Sequence, residues 1–187
     1  MNKRELIRRT AIEIIAEEGY YNTKVQIIAE QAEIAVGTVY NYFSNKEEIL
    51  NYIFKVEFDK RLDILKRLKV EAISFKEKLN LFLEEHFQEL ETNPATTSVL
   101  VQESQLPRKH SLKAVDDFIN ELPELLAEMI ESAKKKKEIR DVNSSLIANA
   151  IFYTIRGMAS KVVLNENYNF DQTKEELMNL LWCGVKN

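Results

Sequence analysis

Only four glycines and three prolines interrupt this chain of 187 residues, and that scarcity is its strongest constraint. Glycine and proline punctuate turns and strand ends, so a chain poor in both runs in long regular segments. The spacing of the apolar residues says which kind. Ile7, Ala11, Ile14 and Ile15 share one helical face, as do Leu79, Phe82, Leu83, Phe87 and Leu90. No stretch alternates apolar and polar residues in the manner of a half-buried strand. The chain is expected to be all-α, with nine helices and no internal repeat. Its 45% hydrophobic and 30% charged residues suit a folded domain with a substantial core rather than a disordered segment.

The first helix should stop at Gly19, and a second should run from Thr23, a plausible N-cap, through Val25, Ile28, Ala29 and Ala32. A short third covers Val36 to Phe43. Ser44 with Glu47 three residues on reads as a capping box, opening a fourth helix that continues through Leu50, Ile53, Phe54, Phe58, Leu62 and Leu65 to about Lys69. The fifth carries the Leu79–Leu90 stripe. Asn93-Pro94 supplies a cap and a first-turn proline for a sixth, which ends before Pro107. A seventh spans about Ser111 to Lys137, and Pro123 inside it predicts a kink or break. Asn143 caps an eighth, Ser144 to Leu164, and Asp171 opens a ninth that ends near Gly184.

Several function classes are disfavoured at once. Cys183 is the single cysteine, so there is no disulfide framework and no cysteine metal cluster. There is no phosphate loop, nucleophile elbow or metal-ligand spacing, and His86 and His110 lie in different segments. The reading is therefore a non-enzyme without cofactor or metal. The start of the chain lacks an apolar signal core, and no run reaches the roughly 18 apolar residues of a membrane span. A cytoplasmic protein without a membrane partner is expected.

The second and third helices are joined by about three residues, Glu33 to Ala35, the connection of a helix-turn-helix. Ile28, Ala29, Ile34 and Val39 are placed to lock the two helices against the first, and Phe43 reads as core. Gly37, Thr38, Tyr40, Asn41 and Tyr42 then face outward. Thr and Asn can bond base edges, and tyrosine hydroxyls can reach phosphate. Lys46, in the first turn of the fourth helix, stands where the helix dipole favours a phosphate. The net charge of −4 runs against a DNA partner, and residues 1–46 balance six bases (Lys3, Arg4, Arg8, Arg9, Lys24, Lys46) against six acids (Glu5, Glu13, Glu17, Glu18, Glu30, Glu33). Phosphates sense local potential rather than the whole-chain sum, so placement decides.

The run Gly37-Thr38-Val39-Tyr40-Asn41-Tyr42-Phe43-Ser44-Asn45-Lys46-Glu47-Glu48-Ile49-Leu50 resembles the signature of the tetracycline-repressor (TetR) family. Ala11-Ile12-Glu13 through Gly19-Tyr20 and Val25-Gln26-Ile27-Ile28-Ala29 agree with it, so the likeness covers about residues 4–55. The resemblance implies an all-α homodimer. Residues 1–46 would form a three-helix DNA-binding domain with the helix-turn-helix, and residues 47–187 a ligand-sensing and dimerisation domain. Carried onto matching positions, it implies that Thr23, Gln26, Gly37, Thr38, Tyr40, Asn41, Tyr42 and Lys46 face a double-stranded DNA operator. Two positions depart from the family pattern: Glu33 stands at the turn position often held by glycine, and Ala35 where the third helix usually has a Ser or Thr cap.

In the C-terminal part, small residues (Ala148, Gly157, Ala159, Ser160) stand among Ile151, Ile155, Val162 and Val163, and the ninth helix adds Leu177, Leu180, Leu181, Trp182 and Gly184. These last two helices are the expected homodimer surface, giving a twofold four-helix bundle. Phe82, Phe118, Leu122 and Phe152 are candidates to line an apolar effector pocket, with His86, Gln102, Asn149, Tyr153 and Arg156 as its polar groups. The alternative for the aromatics is plain core, and for His86 a satisfied core histidine. Arg156 is expected to meet a carboxylate, Glu103 being one candidate, or an acid group or phosphate on a ligand. The Lys134–Lys137 run reads as a solvated helix C-terminus. The segment Ala150-Ile151-Phe152-Tyr153-Thr154-Ile155 and the Asn165–Phe170 connection resemble the acyl-CoA-responsive fatty-acid-degradation repressors of the family. That likeness implies long-chain acyl-CoA as the effector. The expected function is a ligand-responsive repressor released from its operator by a small apolar or amphipathic molecule. The alternative is a helical interaction module that has lost operator binding.

Overall fold

The computed structural model describes residues 2–105, 112–164 and 168–187. Pro107, His110, Ser111 and Asn165 lie outside the described residues. Among those described are nine α-helices and no strand: α1 Lys3–Glu18, α2 Val25–Gln31, α3 Val36–Tyr40, α4 Lys46–Val70, α5 Phe75–Thr92, α6 Pro94–Gln105, α7 Lys113–Lys135, α8 Ser144–Leu164 and α9 Phe170–Val185. None of them is long and apolar enough to cross a membrane. The chain divides into two compact units, Met1–Phe58 with Asn93–Asp116, and Asp59–Thr92 with Asp117–Asn187. The division falls inside α4 and inside α7.

The first unit closes around the apolar face of α1. Ile7, Ala11, Ile14 and Ile15 are buried together with Ile28 and Ala29 of α2, Val39 of α3, Phe43, Ile49, Leu50, Ile53 and Phe54, and Val99 and Leu100 of α6. α6 packs along α1. The second unit packs α5 and α8 against α9, burying Leu83, Phe87, Ile130, Ala148 and Ile151. Of the residues expected at a dimer surface, Ala148, Ile151, Ile155, Ala159 and Val162 belong to this monomer core, and so do Leu177 and Leu181. The outward stripe of α8 is Leu146, Ala150, Tyr153, Gly157 and Leu164, and α9 turns Leu180, Cys183 and Gly184 outward.

The expected boundaries shift by one to three residues, the largest shift being α3, which ends at Tyr40 rather than Phe43. Gly19 ends α1 at φ +79, a conformation that costs glycine least. Lys24, not Thr23, is the N-cap of α2; the Thr23 hydroxyl instead donates back to the Gly19 carbonyl at 2.9 Å. At α4 the capping residue is Asn45, one later than Ser44. Its Oδ1 accepts the Glu48 N–H at 2.8 Å, and the Glu48 carboxylate accepts the Ser44 N–H at 2.6 Å. Pro123 does not break α7. Asn143 caps α8 as expected, accepting from the Leu146 N–H at 2.9 Å, while Asn169 rather than Asp171 opens α9. Past the end of α7, Lys137 takes φ +60 and Lys134 pairs with Asp141 at 3.1 Å.

The α2–α3 connection carries a local cost. Glu33 sits at φ +52, where a side chain costs about 1 kcal/mol relative to glycine. The conformation lets the Ile34 N–H reach the Ala29 carbonyl at 3.0 Å, closing the end of α2 as a left-handed helix cap does. Ala35 then has the extended backbone of an N-cap (φ −66, ψ 142) and no side-chain acceptor. Ala35→Ser should stabilise the first unit by about 1 kcal/mol, read as a raised thermal midpoint; an unchanged or lowered midpoint would contradict this account of the turn.

Arg8 ties α1 to α4. Its guanidinium donates to Glu5 at 2.8 Å and to Glu57 at 3.2 Å, with Arg8 and Glu57 both buried. The Arg8 hydrogen bond is the main cause that pulls the Glu5 carboxyl down to about 2; partial burial opposes it and Arg9 adds to it. A carboxyl with a depressed folded pKa contributes stability above its unfolded value and loses it as pH falls. Stability should therefore drop between about pH 4.5 and 2. Glu5→Gln should flatten that part of the profile in urea unfolding measured across pH.

Candidate nucleic-acid interface

A helix of five residues cannot hold itself in water, so α3 exists because of what it buries. Val39 and Phe43, four apart, are inserted into the core. The residues between them face solvent: Tyr40 is 49% and Tyr42 38% exposed, and Asn41, the α3 C-cap, is exposed as well. Gly37 is exposed with no atom within 4 Å of where a Cβ would stand, and Thr38 is half-buried. Gln26 is exposed on α2. Of these six expected DNA-facing residues, Gln26, Gly37, Thr38 and Tyr40 lie on two consecutive helices that pack on each other, and Asn41 and Tyr42 follow α3 directly.

Thr23 and Lys46 are engaged inside the protein. Thr23 is buried and bonded to Gly19. The Lys46 ammonium donates to the carbonyls of Tyr20 at 2.6 Å, Thr23 at 2.7 Å and Tyr21 at 3.3 Å, and lies 4.3 Å from the Tyr20 ring centroid. Burial lowers its pKa, and the Glu103 charge opposes that shift. A phosphate contact by Lys46 has to compete with three carbonyls already in place. Arg4 is similarly occupied, its guanidinium 4.1 Å from the Tyr52 ring centroid and 5.3 Å from that of Phe43. The inward direction of these cations and the buried carboxylate Glu57 carry no sequence signal, and Glu103, expected as a partner of Arg156, meets Tyr20 instead. No local pattern marks them, because their partners are 49 and 83 residues away.

The expected effector residues fall into separate groups. In the second unit, Phe82 stacks on His86 at 5.8 Å, and Phe87 meets the His86 ring edge-on at 5.3 Å. Phe118 meets Phe152 at 5.6 Å, and Phe152 meets Tyr153 at 5.0 Å. Leu122 is buried, and Tyr153 is 52% exposed. The Asn149 amide donates to the Ser145 carbonyl at 2.9 Å. Gln102 belongs to the first unit, is exposed, and donates to the Ser98 hydroxyl at 2.9 Å. Glu103 does not pair with Arg156: its carboxylate accepts the Tyr20 N–H at 3.1 Å. Arg156 is half-buried, with no ion-pair partner among the described residues.

His86 departs from the ordinary core histidine. Both ring nitrogens are buried and neither has a hydrogen-bond partner among the described residues. Burial, with a smaller effect of the Arg61 charge, pushes its pKa down to about 3. The ring is neutral at physiological pH, with one donor and one acceptor to offer.

Comparison with known proteins bears on both units. Residues 7–53 match the family model of bacterial regulatory proteins, tetR family, and residues 54–184 that of the YsiA-like protein C-terminal region. The fatty acid metabolism regulator protein of Bacillus subtilis (strain 168) is 33% identical over 182 residues, covering 95% of this chain and 92% of that protein. The crystal structure of the transcriptional regulator FadR from Bacillus subtilis in complex with stearoyl-CoA superposes with a TM-score of 0.86 at 28% identity, over 95% of this chain and 96% of that one. The fatty acid degradation regulator FadR from Bacillus halodurans gives 0.85 at 26% identity, over 95% and 96% of the two chains. With its helix-turn-helix and its C-terminal region both matched, the chain belongs to the tetR family of bacterial regulatory proteins.

Proposed function

We propose that this protein is a cytoplasmic, homodimeric repressor that leaves its operator when it binds a long-chain acyl-CoA. Residues 1–46 hold the DNA, and residues 47–187 sense the effector and dimerise through α8 and α9. The observation that carries the DNA-binding half is the outward row Tyr40-Asn41-Tyr42 on a helix pinned by Val39 and Phe43. Two such helices, one from each subunit, enter successive major grooves about 34–36 Å apart. The outward apolar stripe of α8, with Leu146 and Leu164, and Leu180 on α9 supply a self-complementary surface.

The effector half rests on the kinship with the Bacillus subtilis regulator whose structure holds stearoyl-CoA, and on His86. A buried imidazole with free nitrogens among Phe82 and Phe87 suits a mostly apolar ligand carrying one carbonyl. An acyl thioester has that composition, and its carbonyl oxygen accepts a hydrogen bond. Regulation follows if the acyl-CoA binds the DNA-released conformation more tightly than the DNA-bound one. No catalytic step enters this scheme.

Fluorescence anisotropy on DNA from upstream of its own gene tests the first half. Binding should weaken steeply as salt rises, because counterions are released; no binding at low salt would support the interaction-module alternative. Asn41→Ala should lower discrimination between operator and unrelated DNA by about 1–3 kcal/mol, and unchanged discrimination would remove Asn41 from base recognition.

Stearoyl-CoA should dissociate the wild-type complex, and His86→Leu should require more of it while binding operator normally. His86 also gives a pH signature. Its folded pKa lies below the usual 6.5, so its contribution to stability is present above about pH 6.5 and is lost as pH falls toward 3. Urea unfolding from pH 7 to 5 should show wild type losing more stability than His86→Leu; parallel profiles would mean the ring is solvated.

A further inference from the structure

The two backbone polar groups of Tyr20, which belong to the consecutive peptides on either side of its Cα, are held by charges from two other helices of the first unit. The Tyr20 N–H donates to the Glu103 carboxylate of α6 at 3.1 Å, and the Tyr20 carbonyl accepts from the Lys46 ammonium of α4 at 2.6 Å. Glu103 is only 2% exposed. Lys46 spends its other donors on Thr23 and Tyr21, so the whole α1–α2 turn hangs from it. The two side chains also sense each other's charge. A buried ammonium is tolerable only with carbonyls and a counter-charge around it. The grip is therefore cooperative: loosening Glu103 weakens what holds Lys46.

Chain order gives this grip a further property. The first unit is built from residues 1–58 and from 93–116, so α6 belongs to it although α5 directly precedes α6 in the chain and does not. Only Asn93 separates the end of α5 at Thr92 from the start of α6 at Pro94. α5 and α6 are thus joined covalently through one residue, and Glu103 is an α6 side chain bonded to the α1–α2 turn.

We propose that Glu103 is a positioning residue for operator binding. With Lys46 it fixes the backbone on both sides of Tyr20 and hence the seat of α2, and the effector lowers DNA affinity by drawing α6 and Glu103 away from the Tyr20 N–H. The second clause rests on the acyl-CoA reading above; the first does not. Glu103→Gln keeps an oxygen to accept the Tyr20 N–H and removes the charge, whereas Glu103→Ala removes both.

The test measures operator affinity by anisotropy with and without stearoyl-CoA, at a temperature where circular dichroism shows each variant folded. Glu89→Gln, which removes a surface partner of Lys60, controls for the loss of one negative charge. Stearoyl-CoA should weaken wild-type binding by roughly 5- to 150-fold, the usual span of allosteric coupling. Glu103→Gln should bind operator about tenfold more weakly without effector, the difference between a charged and a neutral acceptor, and its ratio of affinities without and with stearoyl-CoA should shrink toward one. Glu89→Gln should match wild type in both. A Glu103→Gln protein with wild-type affinity overturns the positioning role. Weaker binding with an undiminished ratio overturns the transmission role, since a purely structural contact would lower affinity and leave the ratio alone. If stearoyl-CoA does not release wild type, the acyl-CoA reading fails, while the affinity of Glu103→Gln without effector still decides the positioning role.

Discussion

A five-residue helix that cannot stand alone, with the two residues that follow it, carries most of the surface proposed to face DNA, and the rest of the first unit is arranged to hold it. Isolated helices of that length are far below the size that is stable in water, so the direction of α3 is set by burial of Val39 and Phe43. Those two anchors are one turn apart, which forces Tyr40, Asn41 and Tyr42 to the opposite side. The turn before α3 is made at a local cost, with Glu33 in a left-handed conformation and Ala35 at an uncapped helix start. The core around α1 offsets that cost.

The same arrangement explains how an acidic chain carries a DNA-binding unit. Of the six bases among the first 46 residues, three are committed inside. Arg4 lies over Tyr52, Arg8 is shared between Glu5 and Glu57, and Lys46 is bonded to three carbonyls. These cations hold helices together before they can meet phosphate. The outward face of α3 is correspondingly neutral, made of hydroxyls, an amide and a glycine. Such a face is chemically suited to hydrogen bonds with base edges and sugar–phosphate oxygens, and offers less long-range attraction than a basic helix would.

What could be read in the sequence follows from the range of the interactions. Apolar period and the shortage of glycine and proline gave the nine helices, because both are local. Capping residues were found to within one or two positions: Ser44 and Asn45 are both acceptable acceptors, as are Thr23 and the backbone at Lys24, and the choice depends on which hydrogen bond closes best. Phe43 as core followed from helical spacing, whereas spacing alone left Tyr40 and Tyr42 equally suited to packing or to the surface, where the structure puts them. Lys46 illustrates the limit. Its position at the start of α4 was visible, yet where its ammonium points depends on Tyr20, 26 residues earlier. Glu57 was invisible for the same reason, and Glu103 was recognised as a carboxylate seeking a partner but assigned to Arg156 rather than to Tyr20. In α8 the period was clear, but which face meets the monomer core and which is left outward depended on α9.

His86 poses the converse problem, a local residue choice that the folded monomer does not justify. A phenylalanine between Phe82 and Phe87 would bury a ring of similar size without an unmet hydrogen bond. An unsatisfied buried polar group costs about 1–3 kcal/mol, and burial holds this imidazole neutral at the further expense of its proton. Structural packing alone therefore favours replacing it. The residue makes energetic sense if the cost is recovered in another state, when a partner supplies the missing bond. A cost present without ligand and relieved with it is differential binding to two states, which is what a ligand must have to shift a conformational equilibrium.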